Sequence, residues 1–233
     1  MWLFGIPRNY MDMIEKISKC VYTTSLFLLF ILSNIDQGFK DFMTKLSMGA
    51  KIDVFGIELS MALFYLPLIA SLSEHIFQIH DRLSDLLRIR KAYDKDIIAR
   101  NILEKVDMHD RKMCLDDDET DVIMGRVFYK YASSTDPKID PHIIYLTLNK
   151  WCWFWALLDL TILFLLIGFA FLCAKWSVLN LILLEVIVIF MFLLMCVLLR
   201  QIILCTKEEI NEIFSDNERK ELIRGDLENA LFD

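Results

Sequence analysis

Residues that interrupt helices are scarce in this sequence. The chain has four prolines and seven glycines in 233 residues, and neither type occurs between Leu68 and Gly125. Because proline and glycine are the strongest local breakers of helices, their absence from this stretch predicts continuous helical structure.

Motifs of catalysis and metal binding are also missing. The six cysteines form no CxxC pair and no disulfide framework, and the four histidines form no HExxH pair. No Walker loop, GxGxxG or GxSxG sequence is present. An acidic run at residues 116–121 lacks the glycine and the final glutamate of a calcium loop, which favours a solvated loop or helix start. We therefore expect no enzyme, no cofactor and no metal site, and no cleavable signal peptide is evident.

Long hydrophobic runs are abundant instead. Two arms of about 22–24 apolar residues lie between Trp151 and Cys205, separated by a short break at Lys175, and a helix needs about 20 residues to cross a bilayer. Tryptophans mark both ends of this hairpin, as expected at the headgroup level. They are Trp151, Trp153 and Trp155 at one end and Trp176 at the other.

Two further apolar runs precede this hairpin. The first starts near Cys20 and ends at Ile35, and the second extends from Val54 to Leu72 with Pro67 inside it. The predicted fold class is therefore an all-α integral membrane protein with four transmembrane helices. A helical cytosolic region is expected between helices 2 and 3, and a short amphipathic helix at the C-terminus. The predicted segments are 1–73, 74–150, 151–205 and 206–233.

The sequence around the first two runs resembles a recurring bacterial two-span module. The resemblance covers residues 20–80: a polar Thr23–Thr24 pair, a strand-like piece from Lys51 to Leu59, and the sequence FYLPL at residues 64–68. It implies a bacterial origin and no particular activity.

After the second run the helical pattern continues into polar sequence. Apolar residues recur every three or four positions from His75 to about Val106, which predicts one long helix. Two interpretations are open: a stalk between subunits, or a helix packed within its own chain. A linker containing Pro137 and Pro141 precedes helix 3, and Gly225 is expected to break the tail helix.

The distribution of positive charge predicts the topology. With four spans, the N-terminus, the central region and the C-terminus share one side and hold 21 of the 25 lysines and arginines. Because positively charged loops stay inside, both termini are expected in the cytoplasm of a bacterium, with the chain in the inner membrane.

Polar residues inside the hairpin are the candidates for an ion pathway. Asp159 and Glu185 each lie about eight residues into a predicted span, and Asn180 lies near the start of the fourth. A carboxylate at such depth normally faces a partner or a water-filled cavity, and rings of carboxylates select cations. The alternative is a structural hydrogen bond between helices, for example from a protonated acid to Thr161 or Asn180.

Basic and aromatic residues in the cytosolic region are the candidates for ligand binding. Arginines hold phosphates and tyrosines stack on bases, although interfacial anchoring and solvated helix faces are the alternative. The candidate ligand residues are Arg88, Arg90, Lys91, Tyr93, Arg126 and Lys130, with Lys95, Tyr129 and Tyr131 beside them.

Four spans with a compact helical cytosolic part resemble the membrane effectors of bacterial antiphage defence, such as the channel-forming effector of the Hailong system. The resemblance implies a homo-oligomeric, cation-permeable channel, for which we expect a tetramer. It also implies gating from the cytosol by a nucleotide, an oligonucleotide or a partner protein, with a cytosolic nucleotidyltransferase as a candidate partner. The alternative function is a non-conducting membrane anchor or assembly subunit that recruits a cytosolic protein.

Overall fold

The computed structural model describes residues 5–54, 57–108, 110, 115–173 and 178–232. The chain divides into two compact units. The apolar unit comprises residues 14–80 and 152–197, and the polar unit comprises residues 1–13, 81–151 and 198–233. Each unit is therefore assembled from segments that are distant in sequence.

The elements follow one another in chain order. Helices α1 (Tyr10–Ile35) and α2 (Gln37–Leu46) precede strands β1 (Lys51–Val54) and β2 (Ile57–Ser60), which pair antiparallel with Lys51 opposite Ser60. Then come α3 (Ala62–Phe77), α4 (Ile79–Leu86), α5 (Ile89–Tyr93), π1 (Asp94–Ala99), α6 (Arg100–Lys105), α7 (Asp117–Ile123), π2 (Met124–Phe128) and α8 (Tyr129–Tyr131). The chain ends with α9 (Pro141–Cys173), α10 (Val178–Ile213) and α11 (Asn217–Phe232).

The predominantly helical membrane fold predicted from the sequence is confirmed. Among the described residues, three helical segments are long and apolar enough to cross a membrane: Tyr10–Ile35, Pro141–Phe169 and Leu184–Ile213. A fourth crossing results if α3 and α4 together form one bent span. The strand-like piece predicted after Lys51 is the β1–β2 hairpin, so the fold contains a small sheet that an all-α class leaves out.

Among the described residues, a hydrophobic cluster joins five helices of the apolar unit. Phe39 and Met43 lie one turn apart on α2 and are fully buried, and the Asp36 carboxylate caps this helix by accepting the Phe39 N–H at 2.6 Å. The core continues through residues of α1, α3, α9 and α10: Leu29, Leu32, Ala62, Leu63, Leu160, Phe164, Leu184 and Met191. At Gly168 an added Cβ would lie 2.6 Å from the Leu184 Cδ2, so glycine leaves room for the Leu184 side chain against α9.

Two predicted helix boundaries are wrong. The helix expected from His75 to Val106 is broken at Gln78 and Arg88, which have φ angles of 47° and 53°. Left-handed backbone at two non-glycine residues ends a helix as effectively as glycine does, and the sequence carries no sign of it. Conversely, α11 continues through Gly225, because Ile223 and Leu227 on either side are buried and hold the helix in place.

Candidate functional site

Glu185 lies on the exposed surface of α10 within its most apolar stretch. Its neighbours Ile182, Val186 and Ile189 are each more than half exposed. Glu185 is the sole charged residue between Ile182 and Leu199. It lies seven residues after the first residue of α10, about 10 Å along the helix axis. Between Ile182 and Leu199 the surface of α10 is therefore apolar except for one carboxylate.

A stripe of residues extends from Glu185 along the same side of α10, and we call it the Glu185 stripe. Its other members, Ile189, Phe192 and Cys196, follow at spacings of four, three and four residues, and all three are exposed. Residues at this spacing share one side of a helix and form the seam of helix–helix contacts. The Glu185 stripe therefore has the pattern of a surface that packs against another helix.

Asp159 occupies a different environment. It lies on α9, and both of its carboxylate oxygens are shielded from solvent. The Thr161 hydroxyl, a candidate partner in the sequence, donates to the backbone carbonyl of Leu157 at 2.7 Å. Asn180 belongs to the first turn of α10, and its side chain lies outside the described residues. Of the two predicted carboxylates, Glu185 is exposed and Asp159 is enclosed.

The predicted ligand residues of the polar unit have different partners. An Arg90 guanidinium N–H donates to the Tyr129 hydroxyl at 3.2 Å, whereas Lys130 forms an ion pair with Asp226 at 3.3 Å. Arg88, Lys91 and Arg126 are exposed. Arg90 and Tyr129 are thus brought together from positions 39 residues apart, and their contact ties α5 to α8.

Tyr93 is a core residue of the polar unit. It is 8% exposed, its hydroxyl donates to the Thr206 hydroxyl at 2.6 Å, and its ring packs edge-on against Trp151 with 5.0 Å between ring centres. Burial raises the pKa of Tyr93 well above its usual value of 10.0. The ring that was predicted to stack on a ligand therefore packs against the protein, and its neighbours hold it there.

Asp94 is a half-buried carboxyl of this region whose pKa is shifted. Burial raises its pKa from 3.8 to about 6, although the guanidinium of Arg90 lies 3.8 Å from its carboxylate and opposes the rise. The nearby carboxylate of Asp121 contributes in the same direction as burial. The hydrogen bond to Tyr129 raises the pKa of Arg90, so the arginine remains fully charged beside it.

Sequence reasoning missed a group of buried polar residues where α9 and α10 meet within the polar unit. Glu209 is 3% exposed, Thr147 and Thr206 are buried, and the Lys150 ammonium lies 3.0 Å from the Cys205 sulfur. Thr147 and Lys150 are three residues apart on α9, and this spacing in the sequence indicates one polar side of the helix. Their contacts with the end of α10 could not be read from the sequence.

Comparison with known proteins yields one family. The family model described as the YmfE protein family matches residues 9–224, which includes most of both units. The uncharacterized protein YmfE of Escherichia coli (strain K12) is 25% identical over 169 residues, covering 70% of each chain. No solved structure matches this chain. On the extent of the family match, the chain belongs to the YmfE protein family.

Proposed function

We propose that this protein is a homo-oligomeric, cation-permeable channel in which the α10 helices of several copies line the pore. One observation carries the proposal: a single carboxylate, Glu185, stands on an otherwise apolar, exposed surface of a membrane-spanning helix.

The environment of the Glu185 carboxylate decides its energetic cost in a membrane. Placing an acidic side chain at the centre of a lipid-facing helix costs about 3 kcal/mol or more, so such residues face a protein interior or a water-filled cavity. Within one protomer the Glu185 side chain is exposed. Additional copies around a common axis would remove it from lipid and set the carboxylates in a ring. A ring of this kind attracts cations and repels anions.

The surface of α10 also supports association of identical copies. In the most apolar part of this helix only 17% is buried within the chain, against 44% in the corresponding part of each of the other two candidate spans. The Glu185 stripe has the spacing of a helix–helix seam and ends at an exposed, unpaired thiol, Cys196. The least covered helix is therefore the one that carries both the charge and a contact seam.

Cys196 offers a direct test of this association. In membranes treated with a mild oxidant, copies that meet along the Glu185 stripe are expected to form a disulfide-linked dimer through Cys196. The Cys196→Ser variant should stay monomeric on a non-reducing gel. The buried Cys152 supplies the matched control, because Cys152→Ser should leave the crosslink unchanged. A crosslink that persists without Cys196 would place the contact on another surface.

Ion flux separates a channel from the alternative of a non-conducting anchor. Proteoliposomes containing the wild-type chain should take up potassium when cytosolic extract supplies the gating factor, and Glu185→Gln should reduce the preference for cations. Glu208→Gln is the matched control, since Glu208 is also exposed on α10 but follows Arg200, beyond the apolar stretch. If the wild type and both variants fail to conduct with extract present, the anchor function is the better description.

The proposal includes an orientation and a gate. Both termini lie in the cytoplasm under this proposal, and the polar unit, which holds Arg88 and Arg126, receives the nucleotide, oligonucleotide or protein that controls the pore. Reporter fusions at the two termini test the orientation. Arg88→Glu and Arg126→Glu should abolish control of the flux; control that survives both changes would locate the ligand elsewhere.

The layout shared with defence effectors extends the proposal to protection against phage. Opening the pore would collapse ion gradients in an infected cell, so cells expressing the wild-type chain with its genomic neighbours should form fewer plaques than cells expressing Glu185→Gln. Equal plaque numbers would remove the defence role while leaving the channel intact.

A further inference from the structure

Three cations surround the ring of Tyr131 in the polar unit. The distances to the ring centre are 5.6 Å for the Lys130 Nζ, 5.8 Å for the Lys138 Nζ and 5.4 Å for the Arg219 Cζ. Lys130 belongs to α8, Lys138 to the coil before α9, and Arg219 to the first turn of α11. Folding thus brings together charges that are up to 89 residues apart.

Most of this charge is not neutralised by carboxylates. Lys130 has Asp226 at 3.3 Å, but within the described ranges no carboxylate lies within 4 Å of Lys138 or Arg219. The chain has 32 acidic residues against 25 lysines and arginines, so acidic partners are plentiful in its composition. Cations gathered around one ring repel one another, and the negative face of that ring compensates by only about 1 kcal/mol per cation at an exposed site. An anion bound beside the ring would offset the repulsion.

Backbone and core contacts fix the chain segments that carry two of the cations. The Lys138 N–H donates to the Tyr131 carbonyl at 2.9 Å, which closes the coil between them, and the next residue, Ile139, is buried. An Arg219 guanidinium N–H donates to the Ile213 carbonyl at the end of α10 at 3.4 Å. The backbone of Lys138 and the guanidinium of Arg219 are therefore positioned before any ligand arrives, which lowers the entropic cost of binding.

We propose that Tyr131, Lys130, Lys138 and Arg219 form a binding site for a soluble ligand that carries a diphosphate or longer phosphate chain. Arginine offers a planar fork that matches phosphate oxygens, and lysine ammonium groups add point charges. The two cations without carboxylate partners suit two neighbouring phosphate charges. Lys138 and Arg219 lie outside the basic set predicted from the sequence.

A soluble phosphate is favoured over a lipid headgroup by the length of α9. Its first residue, Pro141, lies ten residues before Trp151, the first of the tryptophans expected at the membrane surface. Ten residues of helix span about 15 Å, and Lys138 precedes Pro141 by three more residues. The site deepens the gating part of the proposed function and rests on it for its role, whereas binding itself is measured without ion flux.

The test is isothermal titration of inorganic pyrophosphate into the full-length protein in phosphatidylcholine nanodiscs. The wild type should bind, and the double variant Lys138→Gln with Arg219→Gln should bind at least tenfold more weakly, because two charge-assisted contacts are lost. The double variant Lys105→Gln with Lys207→Gln removes the same charge from exposed positions of the same unit and should bind within twofold of the wild type.

Three results would overturn the inference. They are undetectable binding to the wild type, equal weakening in both double variants, and loss of pyrophosphate binding when the nanodiscs contain phosphatidylglycerol, which would assign the site to a lipid headgroup. Pyrophosphate binding to a protein without ion flux would refute the channel and leave this site intact. Flux that is regulated normally in the Lys138 and Arg219 variant would separate the site from gating.

Discussion

Replacing Asp94 with asparagine should stabilise the polar unit at neutral pH and not in acid. Folding raises the pKa of this carboxyl from 3.8 to about 6 because burial disfavours its charged form. A group with a raised pKa in the folded state stabilises that state while it is protonated. This contribution is fully present below about pH 4 and is lost as the pH rises to about 6.

The magnitude follows from the two pKa values. Each tenfold change in proton affinity corresponds to about 1.4 kcal/mol, so ionised Asp94 costs the folded state up to about 3 kcal/mol above pH 6. Its side chain is 20% exposed, so water screens little of this cost. For a chain of this size, 3 kcal/mol corresponds to a rise of about 6–12 °C in Tm.

Thermal unfolding of the detergent-solubilised protein between pH 4 and pH 8 measures the effect. Asp94→Asn should unfold at a higher temperature than the wild type at pH 7.5, and the difference should vanish near pH 4. Asp96→Asn is the matched control, because Asp96 is exposed and forms a surface ion pair with Arg100 at 2.9 Å. That variant should change stability by less than about 1 kcal/mol. A gain for Asp94→Asn that is equal at all pH values would refute the argument from proton binding.

Two further predictions concern packing. Thr206→Val leaves the buried Tyr93 hydroxyl without its acceptor and should lower the free energy of unfolding by about 1–3 kcal/mol. Tyr93→Phe should cost about 1 kcal/mol, because Thr206 can then donate to its own helix backbone. Equal melting temperatures for the two variants would contradict this hydrogen bond. Gly168→Ile should lower stability by about 1–3 kcal/mol through collision with Leu184, and an unchanged melting temperature would show that the Leu184 side chain does not pack against Gly168.

The spanning helices could be predicted from the sequence because length and hydropathy alone decide whether a segment can cross a bilayer. The helix start at Asp116 is also marked locally, because the Asp116 side chain accepts the Glu119 N–H at 2.7 Å as part of a capping box. Both features depend on residues within a few positions of one another, and local chemistry is what a sequence displays directly.

Features that depend on distant contacts could not be predicted. Tyr93 and Thr206 are 113 residues apart, and only the packed polar unit shows that the tyrosine is buried rather than available to a ligand. The breaks at Gln78 and Arg88 likewise have no glycine or proline to mark them. For the candidate sites, the position of Glu185 within a long apolar run was evident from the sequence, whereas its exposure and the gathering of Lys138 and Arg219 around Tyr131 required the fold.

The most direct test of the proposed pore is the reversal potential of single channels in a planar bilayer. Under a potassium chloride gradient, and with cytosolic extract added, the wild type should reverse close to the potassium equilibrium potential. Glu185→Gln should reverse closer to zero, because the ring of carboxylates that repels chloride is gone. Identical reversal potentials for the two proteins would contradict a pore lined by Glu185.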